Sequence, residues 1–281
     1  MSAFPTRTAV IGGGRMGIGI AHVFAAAGAT VTVCEAGDLD AARQRLAHSL
    51  ARAEERDKLG DTVAAVTARV SFVGEVNRIE GDVELLVEAV PEVMALKLEV
   101  LAAAERVLPE SAILATNTSS LSVGEMGAAL ERPERFLGTH FFNPVPASSL
   151  VEIVRPVAAG DQVVDAVTDW VRVLGKEPVV VRDSPGFATS RLGVLLGLEA
   201  IRMVEEGVAD AESIDKAMEL GYRHPMGPLR STDLVGLDIR LAVADYLRST
   251  LGERFAAPRL LRDKVERGEL GRKAGQGFYR W

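Results

Sequence analysis

The chain has 281 residues, of which 48% are hydrophobic and 25% charged, a composition typical of a folded globular protein rather than a disordered one. Its 32 Lys and Arg against 39 Asp and Glu give a net charge of −7, which argues against nucleic-acid and anionic-membrane binding because both need a concentrated cationic face. One cysteine, Cys34, and four histidines exclude an internal disulfide and a Cys/His metal cluster, so we expect no metal.

The first half of the chain alternates short apolar runs with segments of helical periodicity. Strands are predicted at 7–11, 30–34, 83–87 and 112–115. Helices are predicted between them at about 16–27, 38–59 and 93–107, the second capped by Asp38. Strands that alternate with helices indicate a mainly parallel sheet.

The second half begins with the same alternation and then loses its strands. Strands are predicted at 136–141, 150–154 and 178–181, with a helix over 161–174. After Asp183-Ser184-Pro185-Gly186 only helices are predicted, at about 187–206, 210–220, 231–250 and 257–267. We therefore expect an α/β domain over 1–183 and an all-α domain over 184–281. No run of about 18 apolar residues and no signal peptide is recognisable, so a cytoplasmic location without a membrane partner is expected.

A glycine fingerprint follows the first predicted strand and opens the first predicted helix. The pattern G-x-G-x-x-G is formed by Gly12, Gly13, Gly14, Arg15, Met16 and Gly17. In this context the first glycine makes a tight turn, the second lets the backbone approach a pyrophosphate and the third allows close packing of helix and strand. The helix N-terminus adds N–H groups for the phosphates. These six residues predict a Rossmann-type dinucleotide site.

Glu35, at the end of the second predicted strand, bears on which dinucleotide binds. A carboxylate near this spacing binds ribose hydroxyls and repels a 2′-phosphate, and neighbouring Ala36 and Gly37 offer no arginine to neutralise one. The sequence thus favours NAD over NADP. Two alternatives stay open at this point, an FAD site and a tight turn without a ligand.

A histidine and a carboxylate then stand on two predicted neighbouring strands. His140 ends the strand at 136–141, and Glu152 is the one charged residue in the apolar run 150–154. Because a buried carboxylate needs a partner, His140 is the candidate, and such a pair suits a base that accepts the proton of an alcohol as hydride leaves for NAD. The alternative is a core histidine with a locally bonded Glu152.

Five segments in order resemble motifs of the L-3-hydroxyacyl-CoA dehydrogenases, over nearly the whole chain. They are NTSSL at 117–121, GTHFFNP at 138–144, VEIV at 151–154, HPMGPL at 224–229 and GRKAGQGFY at 271–279. Within that family the chain is most similar to the short bacterial 3-hydroxybutyryl-CoA dehydrogenases that lack a fused hydratase. The resemblance implies NAD-dependent interconversion of (S)-3-hydroxyacyl-CoA and 3-oxoacyl-CoA.

The resemblance also implies roles for individual residues. His140 would be the general acid/base and Glu152 its orienting carboxylate, while Ser119 would bind the substrate's 3-oxygen near the nicotinamide. Further contacts to NAD are implied for Glu92, Lys97, Asn143 and Lys273. Without the family, Glu92 and Lys97 would be interpreted as a solvated first helical turn and Lys273 as an exposed tail charge.

Substrate contacts are implied at three more positions. Ser49 and Arg56, on the helix after Glu35, would contact the coenzyme A part, although charge at helical spacing is usually a solvated face. Ser190 stands where the family has asparagine, and its shorter side chain puts acyl-chain preference and turnover in doubt.

The helices after Gly186 are apolar on more than one face, which fits either a private core or a shared interface. The resemblance favours a homodimer through the C-terminal domain. Two rival functions stay open, an NAD-dependent dehydrogenase of a sugar acid such as L-gulonate and a catalytically silent NAD-binding protein.

Overall fold

The computed structural model describes residues 4–281. The chain divides into two compact units, the first ending at Asp183 and the second beginning at Ser184. Each unit has its own cluster of buried apolar side chains. Within the described residues, no helix is both long enough and apolar enough to cross a bilayer.

The first unit is a sheet of eight strands with helices between them. The strands are β1 (Arg7–Ile11), β2 (Thr30–Cys34), β3 (Val70–Val73), β4 (Leu85–Glu88), β5 (Ile113–Thr116), β6 (Phe136–Phe141), β7 (Leu150–Arg155) and β8 (Glu177–Arg182). Their order in the sheet is β3-β2-β1-β4-β5-β6-β7-β8, and every neighbouring pair is parallel except β6 with β7. The predicted mainly parallel Rossmann-type sheet is thereby confirmed.

Residues 4–183 of this unit form six α-helices: α1 (Arg15–Ala26), α2 (Leu39–Glu54), α3 (Val63–Ala68), α4 (Met94–Val107), α5 (Val123–Ala128) and α6 (Asp161–Val173). Asp38 caps α2 as expected, its side chain accepting the N–H of Ala41 at 2.9 Å. The prediction that this helix runs to about Leu59 is wrong, because the chain leaves helical geometry and Asp57 adopts a φ of +52°. Arg56 therefore lies beyond the helix on which it was expected. The sequence interpretation also missed α3, β3 and α5.

The second unit contains only helices and short turns. The helices are α7 (Thr189–Glu205), α8 (Ala211–Gly221), α9 (Pro228–Val235), α10 (Leu237–Leu251) and α11 (Arg259–Glu266). A single helix over 231–250 was a wrong prediction, because Gly236 has a φ of +105° and separates α9 from α10. That backbone conformation has no place inside a right-handed helix and is available to glycine at little cost.

Two buried carboxylates hold the second unit together. Asp233, fully buried on α9, accepts the backbone N–H groups of Phe278 and Tyr279 and the indole N–H of Trp281, each at 2.9 Å. On α8, Asp215 accepts the N–H groups of Leu229 and Arg230 at 2.8 Å, and the hydroxyl of Tyr279 at 2.7 Å. The C-terminal segment is therefore bonded to α8 and α9 by charge-assisted hydrogen bonds.

Candidate active site

The turn from β1 into α1 requires glycine at two positions and leaves open space at a third. Gly12 has a φ of +111°, and a Cβ there would lie 2.6 Å from the carbonyl oxygen of Ala89. A Cβ on Gly17 would lie 1.9 Å from the carbonyl oxygen of Gly12. A Cβ on Gly14 would meet nothing within 4 Å, and no described side chain caps the N-terminus of α1 beside it. The space and the helix terminus fit the phosphates of a dinucleotide.

The other three residues of this turn, Gly13, Arg15 and Met16, differ in how far they are buried. Gly13 is buried, and a Cβ there would come within 2.8 Å of the side chain of Ala42 on α2. Arg15 is exposed at the start of α1, while Met16 packs partly against the core of the first unit. Backbone and Arg15 guanidinium groups are thus accessible along the rim of the turn.

Glu35 is fixed at the carboxyl end of β2 by two backbone donors. Its Oε2 accepts the N–H of Gly13 at 2.6 Å and its Oε1 accepts the N–H of Gly37 at 2.8 Å. Arg45 of α2 donates to the carbonyl oxygen of Gly13 at 3.1 Å. The sequence interpretation looked for an arginine only beside Glu35 and missed this one, because Arg45 is ten positions later in sequence, on α2.

His140 and Glu152 lie directly opposite each other on the antiparallel strands β6 and β7. The histidine Nδ1 is 2.8 Å from Oε2 of Glu152, and the two residues are only 7% and 1% exposed. Directly opposed residues of an antiparallel pair project to the same face of the sheet, which is why this register joins them. The ring of Phe142 packs beside the imidazole, with 4.4 Å between the ring centroids and 45° between the ring planes.

Ser119 is connected to Glu92 in the segment after β5. Oε1 of Glu92 accepts the backbone N–H of Ser119 at 3.0 Å, its hydroxyl at 3.3 Å and the hydroxyl of Thr118 at 2.6 Å. Burial alone would raise the pKa of Glu92, but the ammonium of Lys97 and these hydrogen bonds hold it below its ordinary value. The structure thus brings Ser119, Glu92 and Lys97 together, with Glu92 ionised.

Lys97 is a buried member of this network rather than part of a solvated turn. It is 1% exposed, and its ammonium donates to Oε1 of Glu88 at 2.8 Å and to the carbonyl oxygen of Val90 at 3.2 Å, and it pairs with Oε2 of Glu92 at 3.2 Å. Oε2 of the fully buried Glu88 also accepts the hydroxyl of Thr116 at 2.6 Å. The sequence interpretation missed Glu88, although a charge that ends the apolar run of β4 was the available signal.

These groups converge because they follow neighbouring strands. β1, β4, β5 and β6 are adjacent in the sheet and parallel, so the glycine turn, Glu88, Thr116 and His140 lie at the same edge. Oδ1 of Asn117 accepts the N–H of Phe141 at 2.9 Å and links the ends of β5 and β6. Asn143 is exposed just beyond β6. Ligands of open α/β sheets bind at the carboxyl ends of the strands, where these residues are.

The remaining predicted site residues are on α2, just after it, and in the second unit. Ser49 on α2 is half-buried, and its hydroxyl is 2.8 Å from Nδ1 of the buried His22. Arg56 is exposed after α2. In the second unit Ser190 lies in the first turn of α7, and Lys273 forms an ion pair of 2.6 Å with Asp238.

Comparison with known proteins matches both units to models of one family. Residues 7–184 match the NAD binding domain of 3-hydroxyacyl-CoA dehydrogenase, and residues 186–281 match the C-terminal domain of the same family. The 3-hydroxybutyryl-CoA dehydrogenase of Mycobacterium tuberculosis is 42% identical over 285 residues, with 99% of each chain covered. A probable 3-hydroxybutyryl-CoA dehydrogenase of Bacillus subtilis is 41% identical over 274 residues, covering 96% of this chain and 95% of the relative.

Solved structures give the same result. The crystal structure of M. tuberculosis FadB2 is 41% identical, with a TM-score of 0.94 over 99% of this chain and 100% of that one. The (S)-3-hydroxybutyryl-CoA dehydrogenase PaaH1 from Ralstonia eutropha is 35% identical, with a TM-score of 0.92 over 99% of each chain.

Proposed function

This chain belongs to the 3-hydroxyacyl-CoA dehydrogenase family, and from that premise we propose that it interconverts (S)-3-hydroxybutyryl-CoA and acetoacetyl-CoA. It is an NAD-dependent enzyme of the 3-hydroxybutyryl-CoA dehydrogenase type. The observation that carries the detailed proposal is the buried His140–Glu152 pair at the sheet edge where the glycine turn also lies. An imidazole fixed by a carboxylate is suited to repeated proton transfer.

In the oxidation direction His140 accepts the proton of the 3-hydroxyl group. Glu152 accepts the N–H on Nδ1, which leaves Nε2 as the base and stabilises the imidazolium that forms. NAD, when bound, would supply the acceptor for the hydride that leaves C3. In the reverse direction the protonated histidine returns its proton to the 3-oxygen.

Ser119 donates its hydroxyl to the 3-oxygen of the substrate in this proposal, and Glu92 holds its backbone at the required position. Glu92 and Asn143 line the nicotinamide half of the cofactor site, and the buried Lys97 acts on that site through its ion pair with Glu92. Gly12, Gly13, Gly14, Arg15, Met16 and Gly17 bind the pyrophosphate, and Glu35 binds the adenosine ribose. Lys273 adds a contact to NAD from the second domain.

On the substrate side, Ser49 and Arg56 contact coenzyme A, and Ser190 contacts the acyl portion. Residues 1–183 are proposed as the NAD-binding domain, and residues 184–281 as the substrate and dimerisation domain. We propose a homodimer through the second domain, where Leu192 on α7 and Ile239 on α10 are 67% and 47% exposed. A dimeric mass in light scattering supports this assembly, and a monomeric mass at micromolar concentration contradicts it. The location is proposed to be cytoplasmic.

The testing experiment follows the loss of NADH absorbance at 340 nm with acetoacetyl-CoA, in parallel with NADPH. Rapid turnover with NADH alone supports the proposed reaction and cofactor. A His140→Gln variant that binds NADH but has lost turnover assigns the chemistry to this residue. Turnover of L-gulonate with NAD in place of the thioester moves the substrate to a sugar acid, and inactivity on both contradicts the enzyme assignment.

A further inference from the structure

Lys176, in the turn between α6 and β8, is a buried lysine whose ammonium binds backbone carbonyl groups. The residue is 7% exposed, and its Nζ donates to the carbonyl oxygen of Val145 at 2.6 Å and to that of Ser148. Burial lowers the pKa of Lys176 below its ordinary value, and no carboxylate among the described residues opposes this shift. The ammonium is thus placed by two carbonyl groups of one short segment.

Packing alone does not explain a lysine at this position. A buried cation without an opposite charge is costly, and an apolar side chain of similar volume would avoid that cost. The two hydrogen bonds distinguish Lys176 from such a side chain. Both end on residues 142–149, which connect β6 to β7 and follow directly after the strand that carries His140.

Asn143 lies in this 142–149 segment between two fixed points. Phe141 before it ends β6 and is held by the ladder with β7. Val145 after it is 2% exposed and lies against α1, where a Cβ on Gly19 would come within 2.8 Å of the Cβ of Val145. The side chain of Asn143 itself is exposed. Its position therefore depends on how firmly the second fixed point is held.

The rest of the 142–149 segment is a turn with little packing of its own. The carbonyl oxygen of Pro144 accepts the N–H groups of Ala147 and Ser148, each at 3.0 Å. Among residues 142–149, all of which the structure describes, only Val145 is buried. Segments with few buried apolar contacts open easily, so the ammonium is the main group that holds this turn in place.

We propose that Lys176 is a positioning residue for the cofactor, because its ammonium holds the 142–149 segment and thereby presents Asn143 to the nicotinamide half of NAD. This inference rests on the proposed function, which gives Asn143 its contact with NAD. His140 and Glu152 are fixed by the ladder of β6 and β7, so loss of the ammonium should weaken cofactor binding and leave the proton-transfer pair in place.

The first test is fluorescence titration with NADH of wild type, Lys176→Met, Asn143→Ala and the double variant. Because one hydrogen bond corresponds to roughly 3- to 10-fold in affinity, each single variant should raise the Kd by about that factor. The double variant should bind no more weakly than the weaker single one, because both changes remove the same contact. Lys176→Arg keeps a cation with N–H donors and should recover part of the affinity. Lys216→Met, at an exposed lysine of α8, is the control and should keep the wild-type Kd.

The second test needs no cofactor, because hydrogen exchange of the free protein reports the 142–149 segment directly. In Lys176→Met the N–H groups of Ala147 and Ser148 should exchange about 3- to 10-fold faster, while those of β6 exchange as in wild type. The pH profile of kcat at saturating NADH should also be unchanged, because the His140–Glu152 pair keeps its place in the ladder.

Wild-type NADH affinity in Lys176→Met overturns the proposal, as do single losses that multiply in the double variant. Faster exchange throughout β6 or a displaced pH profile also overturns it, because general destabilisation or a disturbed His140–Glu152 pair would then explain the loss. If Lys176→Met does not fold, Gly19→Ala decides by the same comparison with Asn143→Ala, since its Cβ would displace Val145.

Failure of the proposed function is distinguishable from failure of this inference. Asn143→Ala with wild-type NADH affinity contradicts the cofactor contact in the proposed function, and with it this inference. A weakened Asn143→Ala beside a Lys176→Met of wild-type affinity contradicts this inference alone.

Discussion

Replacement of Lys97 by methionine should destabilise the first domain by several kcal/mol. The ammonium has three N–H groups, and all three are used, on Glu88, Val90 and Glu92. Methionine fills a similar volume without the charge, which leaves the carboxylate of the fully buried Glu88 with only the hydroxyl of Thr116 and the N–H of Val90. Removal of one partner from a buried ion pair costs about 3–5 kcal/mol.

The measurement is unfolding by guanidinium chloride with tryptophan fluorescence as the signal. Trp170, 6% exposed on α6, reports the first domain, and Trp281 belongs to the second. Trp281→Phe is therefore the background for both proteins. A loss of 3–5 kcal/mol should lower the transition midpoint of the first domain by on the order of 1 M.

A second substitution identifies the cause. Glu88→Gln removes the charge that Lys97 neutralises, so Lys97→Met with Glu88→Gln should be more stable than Lys97→Met alone by at least about 1 kcal/mol. Two results would refute the view that the unpaired buried charge is the main cause of the lost stability. One is an unfolding midpoint for Lys97→Met within error of the background protein. The other is a double variant whose loss of stability equals the full sum of the two single losses.

Four further results are expected. Glu152→Gln should lower kcat by about 10²- to 10⁴-fold with the KM for NAD little changed, because the neutral amide lacks the charge that stabilises the imidazolium, and its NH₂ group can favour the wrong tautomer of the ring. Glu35→Ala should narrow the preference for NADH over NADPH, measured as the ratio of kcat/KM values. Gly17→Ala should weaken NADH binding in fluorescence titration by more than tenfold, since its Cβ would meet backbone at 1.9 Å. Burial and the charge of Lys176 lower the pKa of His22 to about 4. As the pH falls, the unfolded chain therefore protonates this histidine before the folded chain does, and the free energy of unfolding should fall by about 3 kcal/mol from pH 6.5 to pH 4. The variant His22→Gln should lack this pH dependence.

Each expectation has an outcome that contradicts it. Wild-type kcat in Glu152→Gln removes the orienting role, and unchanged discrimination in Glu35→Ala means that other residues exclude a 2′-phosphate. Normal NADH affinity in Gly17→Ala shows that the turn can shift at little cost. The same acid destabilisation in His22→Gln as in wild type assigns the pH dependence to other groups.

Much of the fold could be predicted because the periodicity of apolar residues and the positions of glycines indicate the strands and helices. The predicted strands 30–34 and 136–141 agree with β2 and β6 residue by residue. Short elements were missed, because four residues of β3 at the sheet edge are too few for a clear alternation. The helix expected over 231–250 failed at Gly236, whose positive φ is set by tertiary packing and is invisible in helical periodicity.

The site was predictable where chemistry narrows the choice of partner. A lone glutamate in the apolar run of β7 needed a polar partner, and His140 was the one candidate at a strand end. Lys97 shows the limit, because a lysine in the first turns of a helix gives the same pattern whether it is solvated or buried. Only the fold reveals that Glu88, at the end of β4, lies within hydrogen-bond distance of the Lys97 ammonium.

The pairing of β6 with β7 decides whether the proposed catalytic pair can form, because the strand register determines which residues share a face of the sheet. A shift of β7 by one residue would place Val151 or Ile153 opposite His140 and turn Glu152 to the other face of the sheet. A shift by two residues would return Glu152 to the same face as His140, but no longer directly opposite it. The segment between the strands, residues 142–149, can therefore accept engineered insertions only if the ladder on either side keeps its alignment. An activity screen of loop-insertion libraries would in effect report strand alignment, with no structural measurement required.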